Sequence, residues 1–389
     1  MSVNSMNIEQ AYSLLVSIHN QVTGNTSLAA TDVSDFVSVA TQTLQAGYDA
    51  VIGAISQVVG RTLIAVRPYS RKFPGLEVDN ARWGGITRKI SYADRGPVAD
   101  DTYIMTDGSP VDQYTVRTPK VMETRYYGAA AYDGYYTIFT KQLDQAFTSP
   151  EAFGAFMSGL MTHFSNEREQ WLEDGARMIV MNMITAKKDA NIDIIHLLTE
   201  YNAATGLSLT ATTVMQPANF PAFVKWMYGR VSEISSLMTE RSELFQLKQT
   251  GFDIYRHTPL ADQRLYMLAG FLEQMTAGVL ADTYHDNLLR YGNVEAVNFW
   301  QSIKSPDAIN AKPVYIDAAG AVKKAASAVS MTKVLGVLFD RDAMGYNLQD
   351  DTLVASPYNA AGQFYNLFAH VRMQYQNDLT EKVAVLCLD

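Results

Sequence analysis

The sequence predicts a mixed α+β chain, and three stretches predict it. The first, TSPEAFGAFMSGLMTHFSNEREQWLEDGARMIVMNMITAKK (148–188), carries apolar residues at helical spacing, among them Phe153, Met157, Leu160, Phe164, Leu172, Ala176, Ile179, Val180 and Met183. The second, YTVRTPKVMETRYYGAAAYDGYYTIF (114–139), is rich in Tyr and Thr, the composition of strands. The third is a set of closing segments, VLGVLFDRDAMGY, QFYNLFAHVRMQY and EKVAVLCLD, whose alternation fits an antiparallel sheet that packs on the long helix.

Taken in order, residues 1–60 hold no Lys or Arg; their charges are Glu9, Asp32, Asp35 and Asp49. Two helices are expected, about Ile8 to Val22 and, capped by Thr31 or Asp32, on to about Val59. Residues 61–95 reverse the charge, with Arg61, Arg67, Arg71, Lys72, Arg82, Arg88, Lys89 and Arg95 against Glu77, Asp79 and Asp94. Residues 96–113 hold Asp100, Asp101, Asp107 and Asp112 and no base. Turn signals are dense at Pro74-Gly75, Gly84-Gly85, Gly96-Pro97 and Asp107-Gly108. The whole reads as a long two-stranded excursion, basic along its length and acidic toward its return. Such a ribbon buries too little to stand alone. Two supports are open: its own domain, or a neighbouring subunit reached by charge complementarity.

The long helix has Ser149 as its N-cap and Pro150 at its first position, and Lys187 and Lys188 suit its C-terminal dipole. At ~1.5 Å per residue it runs roughly 55–60 Å, long enough for a spine. Residues 190–333 alternate helix and strand candidates, with a helix over Gln216–Leu247 and a strand at RLYMLAGF.

With 389 residues, 48% hydrophobic and 18% charged, the chain can bury a sizeable core. A net charge of −9 gives no global field for nucleic acid. The one cysteine, Cys387, excludes a disulfide scaffold and reads as a buried strand residue. No signal-peptide pattern or membrane-length apolar run is present, and the start at Met1 suggests that nothing has been removed. Phosphate-loop, dinucleotide and nucleophile-elbow motifs are absent, and the six histidines have no metal-ligand spacing. His163 and Glu167 form an i,i+4 pair, read as a surface contact. Asp340 and Asp342 in FDRDAMG are read as a turn or a subunit salt bridge rather than a metal pair. No enzyme activity, metal or cofactor is expected.

Five stretches, RTLIAVRPYSRKFPGLEVDNARWGGITRKISYAD, TPKVMETRYYGAAAYDGYYTIF, RLYMLAGFLEQMTAGVLADTYHDN, VYIDAAGAVKKAASAVSMTKVLGVLFDRDAMGYN and YNLFAHVRMQYQNDLTEKVAVLCLD, occur in an order that resembles the major capsid proteins of tailed bacteriophages, with the Hong Kong 97 capsid fold and the look of short-tailed phage head proteins. The resemblance implies a helical N-terminal arm (1–60), an extended loop with flanking strands (61–140), a peripheral domain on the spine helix (141–195), an axial domain (196–333) and closing strands (334–389). It implies hexamers and pentamers in an icosahedral or prolate head around double-stranded DNA, assembled in the bacterial cytoplasm. The implied partners are a separate scaffolding protein, a portal protein, a decoration protein and weakly held DNA, with no membrane. Candidate inter-subunit contacts are Arg67, Arg71, Lys72, Arg82, Arg88, Lys89, Asp100, Asp101, Asp107 and Asp112. The alternative is an encapsulin-like shell of a cellular nanocompartment.

Overall fold

Asn7 opens the first helix through a reciprocal cap with Gln10, and Gly24 closes it in the left-handed region (φ 68°). A computed structural model describes residues 7–24, 32–61, 69–78, 86–94, 104–108, 114, 116, 118–127, 130–279 and 294–389. The opening helices are α1 (Ile8–Thr23), α2 (Val33–Gln45) and α3 (Tyr48–Arg61). The Asp32 carboxylate caps α2 by accepting the Asp35 amide at 2.8 Å. The single helix expected up to Val59 is two. Gly47, at φ 107°, turns the chain between them, although the apolar pattern runs on past it.

The excursion returns as β1 (Ile86–Tyr92) and β2 (Val121–Tyr127), paired antiparallel from Ile86↔Tyr127 to Tyr92↔Val121. Then come β3 (Ala130–Phe139), α4 (Thr140–Ala146) and α5 (Pro150–Ala190). α5 is the predicted spine, 41 residues long. The Ser149 hydroxyl accepts the Ala152 amide at 3.2 Å, and Asn191 ends the helix in the left-handed region.

The next part holds β4 (Ile194–His196), α6 (Leu197–Thr205), α7 (Ala211–Val214), α8 (Phe220–Thr239), β5 (Gln263–Leu268), α9 (Ala269–Val279) and β6 (Val294–Val297). Short strands follow: β7 (Ile309–Ala311), β8 (Val314–Ile316), β9 (Val322–Lys324) and β10 (Val329–Met331). The chain closes with β11 (Val334–Asp340), β12 (Met344–Ala355), β13 (Phe364–Asn377) and β14 (Val383–Cys387). The strand expected over VLGVLFDRDAMGY is therefore two, β11 and the start of β12.

These closing strands do not form one sheet. β11 and β14 enter a five-stranded sheet of order β4-β14-β11-β5-β6, while β12 and β13 pair with β3 in a three-stranded sheet. The difference follows from patterning. β11 and β14 are buried at every position, as strands covered on both faces must be, whereas β13 alternates. Cys387 is buried in β14, and burial pushes its thiol up to about 12.

Two hydrophobic cores flank the spine. One gathers Leu15, Phe36, Ile55, Ile138 and Leu367 around Phe153, Met157, Leu160 and Phe164 of the first half of α5. The other gathers Phe223, Tyr266, Val337 and Val385 around Leu172, Ile179, Val180 and Met183 of the second half. Helices α1, α2 and α3, within the stretch expected as an arm (1–60), thus share a core with the first half of the chain's own long helix.

Candidate assembly interface

β1 and β2 form the ribbon on which the sequence reading placed subunit contacts. The alternation in ITRKISY and VMETRYY divides it into two faces. One carries Ile86, Arg88, Ile90 and Tyr92 from β1 with Val121, Glu123, Arg125 and Tyr127 from β2. The other carries Thr87, Lys89 and Ser91 with Met122, Thr124 and Tyr126.

The usual rule for a half-covered sheet is apolar inward and polar outward. Here it is reversed. Ile86, Ile90, Tyr92 and Tyr127 are 56, 53, 63 and 76% exposed, while Ser91 and Thr124 are buried. The polar face rests on the chain's own body. Lys89 donates to Asp378 at 2.6 Å and to Glu381, and Arg256 donates to the Ser91 hydroxyl at 2.8 Å while pairing with Glu381 at 3.3 Å. The Thr87 hydroxyl donates to Gln374 at 3.3 Å, and Gln374 donates to the Tyr126 carbonyl. Just beyond Tyr92, the Asp94 amide donates to the Asp253 carbonyl at 2.6 Å and Asp94 pairs with Arg241.

The charges in this seat shape one another. Burial alone would raise the Asp378 carboxyl, but Lys89 and the Thr380 hydrogen bonds outweigh it and hold it below the usual carboxylate range. For Glu381, burial outweighs Lys89 and Arg256 and raises it. The Tyr126 hydroxyl is pushed up by burial and then by the Asp378 charge.

Before the ribbon, residues 69–78 are clamped to α5. The Arg177 guanidinium lies over the Phe299 ring at 3.8 Å and the Phe73 ring at 5.2 Å, and pairs with Glu173 at 2.5 Å. The same Glu173 accepts the Lys72 amide at 3.3 Å.

Of the residues singled out from sequence, Arg67, Arg82, Asp100, Asp101 and Asp112 lie outside the described residues. Arg71 pairs with Glu77 and, at 3.8 Å, with Glu169 of its own chain. Lys89 faces inward to its own Asp378 and Glu381. Lys72, Arg88 and Asp107 are exposed, with Arg88 paired across the ribbon to Glu123. The seat residues Gln374, Asp378, Glu381 and Arg256 escaped sequence reading. They lie far beyond the ribbon in sequence, and no local pattern links them to it.

The rest of the chain offers little for chemistry. Asp340 accepts the Thr258 hydroxyl at 2.6 Å and the Asp342 amide at 2.8 Å, so FDRDAMG is a turn. His163 and Glu167 are 3.6 Å apart and half-buried. Among the described residues, no group of three or more His, Cys, Asp or Glu is placed to hold a metal. Among them, too, no helix is long and apolar enough to cross a membrane.

Comparison with known proteins decides the family. The description of Phi29-like phage major capsid proteins matches residues 15–387. This chain belongs to the Phi29-like phage major capsid protein family. Among solved structures, this capsid protein is similar to a chain in the structure of the head fiber and inner core protein gp22 of native bacteriophage P68. There the TM-score is 0.52 at 9% identity, over 84% of this chain and 87% of that one. It is also similar to a chain in the capsid structure of Staphylococcus phage Andhra (TM-score 0.46, 11% identity, 84% and 86% covered). A third is a chain in the capsid structure of the cyanophage P-SCSP1u (0.45, 12%, 84% and 90%). No curated protein sequence matches. The capsid protein is a structural component of the phage head shell, found in the virion. Its mixed helix-and-sheet fold agrees with the Hong Kong 97-like expectation, and nothing favours the nanocompartment alternative.

Proposed function

We propose that the subunits form hexamers and pentamers that close an icosahedral or prolate head around double-stranded DNA, and that the outer face of the ribbon docks on an adjacent subunit. What supports docking is the reversed ribbon. Ile86 with Tyr127, and Ile90 with Tyr92, present exposed apolar side chains to solvent on either side of the Arg88↔Arg125 pair. An apolar strip left exposed on a subunit of a repeating shell is the pattern of an interface. Arg88 adds charge in its middle, and Lys72 and Asp107 are further exposed charges of the same excursion. Arg71 and Lys89 serve the contact by holding their own segment in place. A scaffolding protein guides assembly in the bacterial cytoplasm, a portal occupies one vertex, and a decoration protein coats the outside. The acidic chain (net charge −9) holds DNA weakly and without sequence preference, and the protein catalyses no reaction.

The test is a double substitution on the exposed strip, Ile86→Asp with Ile90→Asp. The isolated chain should keep its melting behaviour, within about 0.5 kcal/mol for exposed positions. Closed particles seen by electron microscopy, in the presence of the scaffolding protein, should be lost. Wild-type particle yield from the double variant would sink the docking reading.

A further inference from the structure

Between β6 and β11 the chain makes a small insert of four short strands, β7 to β10, laid on the second half of α5. Its inner side is packed and fixed. Ile309, Tyr315 and Met331 enter the second core. The Asn182 side chain donates to the Val314 carbonyl at 2.9 Å and accepts the Val314 amide at 2.8 Å. Asp189 accepts the Tyr315 hydroxyl at 2.7 Å and pairs with Lys323 at 2.8 Å.

The outer side is cationic. The insert holds Lys304, Lys312, Lys323, Lys324 and Lys333 and no Arg, against Asp307 and Asp317. Across β8 and β9, Val314 is opposite Lys324, and the ladder continues to Pro313, whose carbonyl accepts the Ala325 amide at 3.0 Å. Alternation then sets Lys312 on the side of Val314 and Lys324, away from the Tyr315–Lys323 pair that faces α5. Lys304 stands on an exposed turn closed by the Ser305 amide and the Ser302 carbonyl, and Lys333 is exposed just before β11.

The chain has 40 acids for 31 Lys and Arg, so a surface cation has no shortage of partners. Yet among the described residues no acid pairs with Lys304, Lys312, Lys324 or Lys333. Asp317 turns its carboxylate onto the Ala319 and Ala321 amides, and Asp307 is half-buried. We infer that these four lysines meet the phosphate backbone of the enclosed duplex, which rests on the proposed enclosure of double-stranded DNA by the shell.

Composition favours a duplex over a protein partner. Protein interfaces are poor in Lys and rich in Arg and aromatic rings, and this face is the reverse. A Lys ammonium is a point charge that meets a phosphate without reading base sequence. Unpaired lysines give up no ion pair on binding, so the gain is the release of condensed counterions. Lys323, committed to Asp189, positions the hairpin and stays out of the contact. The small exposed side chains of Ser305 and Ser327 leave room for a rod to approach.

Two measurements test this. The first is fluorescence anisotropy of a short labelled DNA duplex with the full-length, unassembled chain. Affinity should fall about a hundredfold between about 50 and 200 mM salt, the dependence of four phosphate contacts, but only about tenfold in Lys312→Gln with Lys324→Gln, which leaves two. Lys141→Gln with Lys225→Gln, exposed lysines elsewhere, should keep the parent's dependence. No binding at the lower salt, or an unchanged dependence in the first pair, would overturn the inference. The second is lysine acetylation of DNA-filled and DNA-free heads, read residue by residue by mass spectrometry. Lys304, Lys312, Lys324 and Lys333 should be protected in filled heads alone. Equal reactivity in both would overturn the inference and leave the enclosure of DNA standing. Protection already present in DNA-free heads would give the face to a protein neighbour and overturn it as well. Heads that never hold duplex DNA would sink the enclosure reading, and this assignment with it.

Discussion

The Tyr69 hydroxyl donates to the Glu173 carboxylate at 2.5 Å, across 104 residues of sequence. Together with the Lys72 amide it brings the segment that leads into the ribbon to the middle of α5. Glu173 is itself held by Arg177, whose guanidinium lies near two aromatic rings. The two partners of the Tyr69–Glu173 hydrogen bond should respond unequally to substitution. Tyr69→Phe removes one charge-assisted hydrogen bond at a partly exposed hydroxyl and should cost about 1–2 kcal/mol. Glu173→Gln leaves a buried guanidinium without its counter-charge and should cost about 3 kcal/mol or more. Denaturant unfolding of the two variants side by side measures the difference; equal losses would contradict the clamp.

Lys187 is fully buried at the end of the spine, donating to Asp193 at 2.7 Å and to the Phe245 carbonyl at 3.2 Å. Burial lowers its pKa, although Asp193 opposes the shift. Lys187→Ala leaves Asp193 without its cation and opens a cavity, and should destabilise the chain by about 3–5 kcal/mol. Lys187→Met, which refills the space, should lose less. Thermal melts of the pair separate the contribution of charge from that of volume.

Gly134 of β3 faces the spine, and a Cβ there would run into the Trp171 ring. The ring belongs to α5, which packs on this sheet, and must shift to admit a methyl group. Gly134→Ala should therefore cost about 1–3 kcal/mol by overpacking. Gly159→Ala makes a matched control, because a Cβ on that helical glycine meets nothing and adds helix propensity. Opposite signs in chemical denaturation are the expected outcome.

Acid should act on the ribbon seat through Asp378. Its folded pKa is lowered, so it contributes stability above its ordinary value near pH 4, and that contribution is lost as pH falls through the lowered folded value. Glu381 has the opposite sign. Its folded pKa is raised, so protonation favours the folded form and its contribution falls as pH rises. Stability followed from pH 7 to about pH 3 should show a shallower acid loss in Asp378→Asn and a steeper one in Glu381→Gln. Parallel curves for all three proteins would refute the assignment.

What could be read from sequence was what neighbours in sequence decide. Ser149, Pro150, Lys187 and Lys188 marked the spine to within two residues of its observed end at Ala190, because capping and dipole effects are local. The break at Gly47 was hidden because Tyr48, Val51 and Ile55 continue the apolar spacing across it. The alternation in ITRKISY is that of a two-faced strand. It could not say which face is covered, since that depends on Asp378 and Glu381 nearly 300 positions away. Likewise β11 and β12 adjoin in sequence but enter different sheets. Patterning reports that a strand has a buried side, not which partner buries it.

The spine helix has a mechanical meaning. A shell subunit under tension fails first at its softest joint. In this subunit the first and second halves of α5 are each embedded in a separate core, so one continuous rod crosses the junction between them. A pull between the two ends runs along a ladder of backbone hydrogen bonds and close-packed side chains, with no flexible linker in series. Stretching the subunit then requires the helix itself to yield, which makes the chain stiff along α5 and leaves its compliance to the ribbon and the contacts between neighbours.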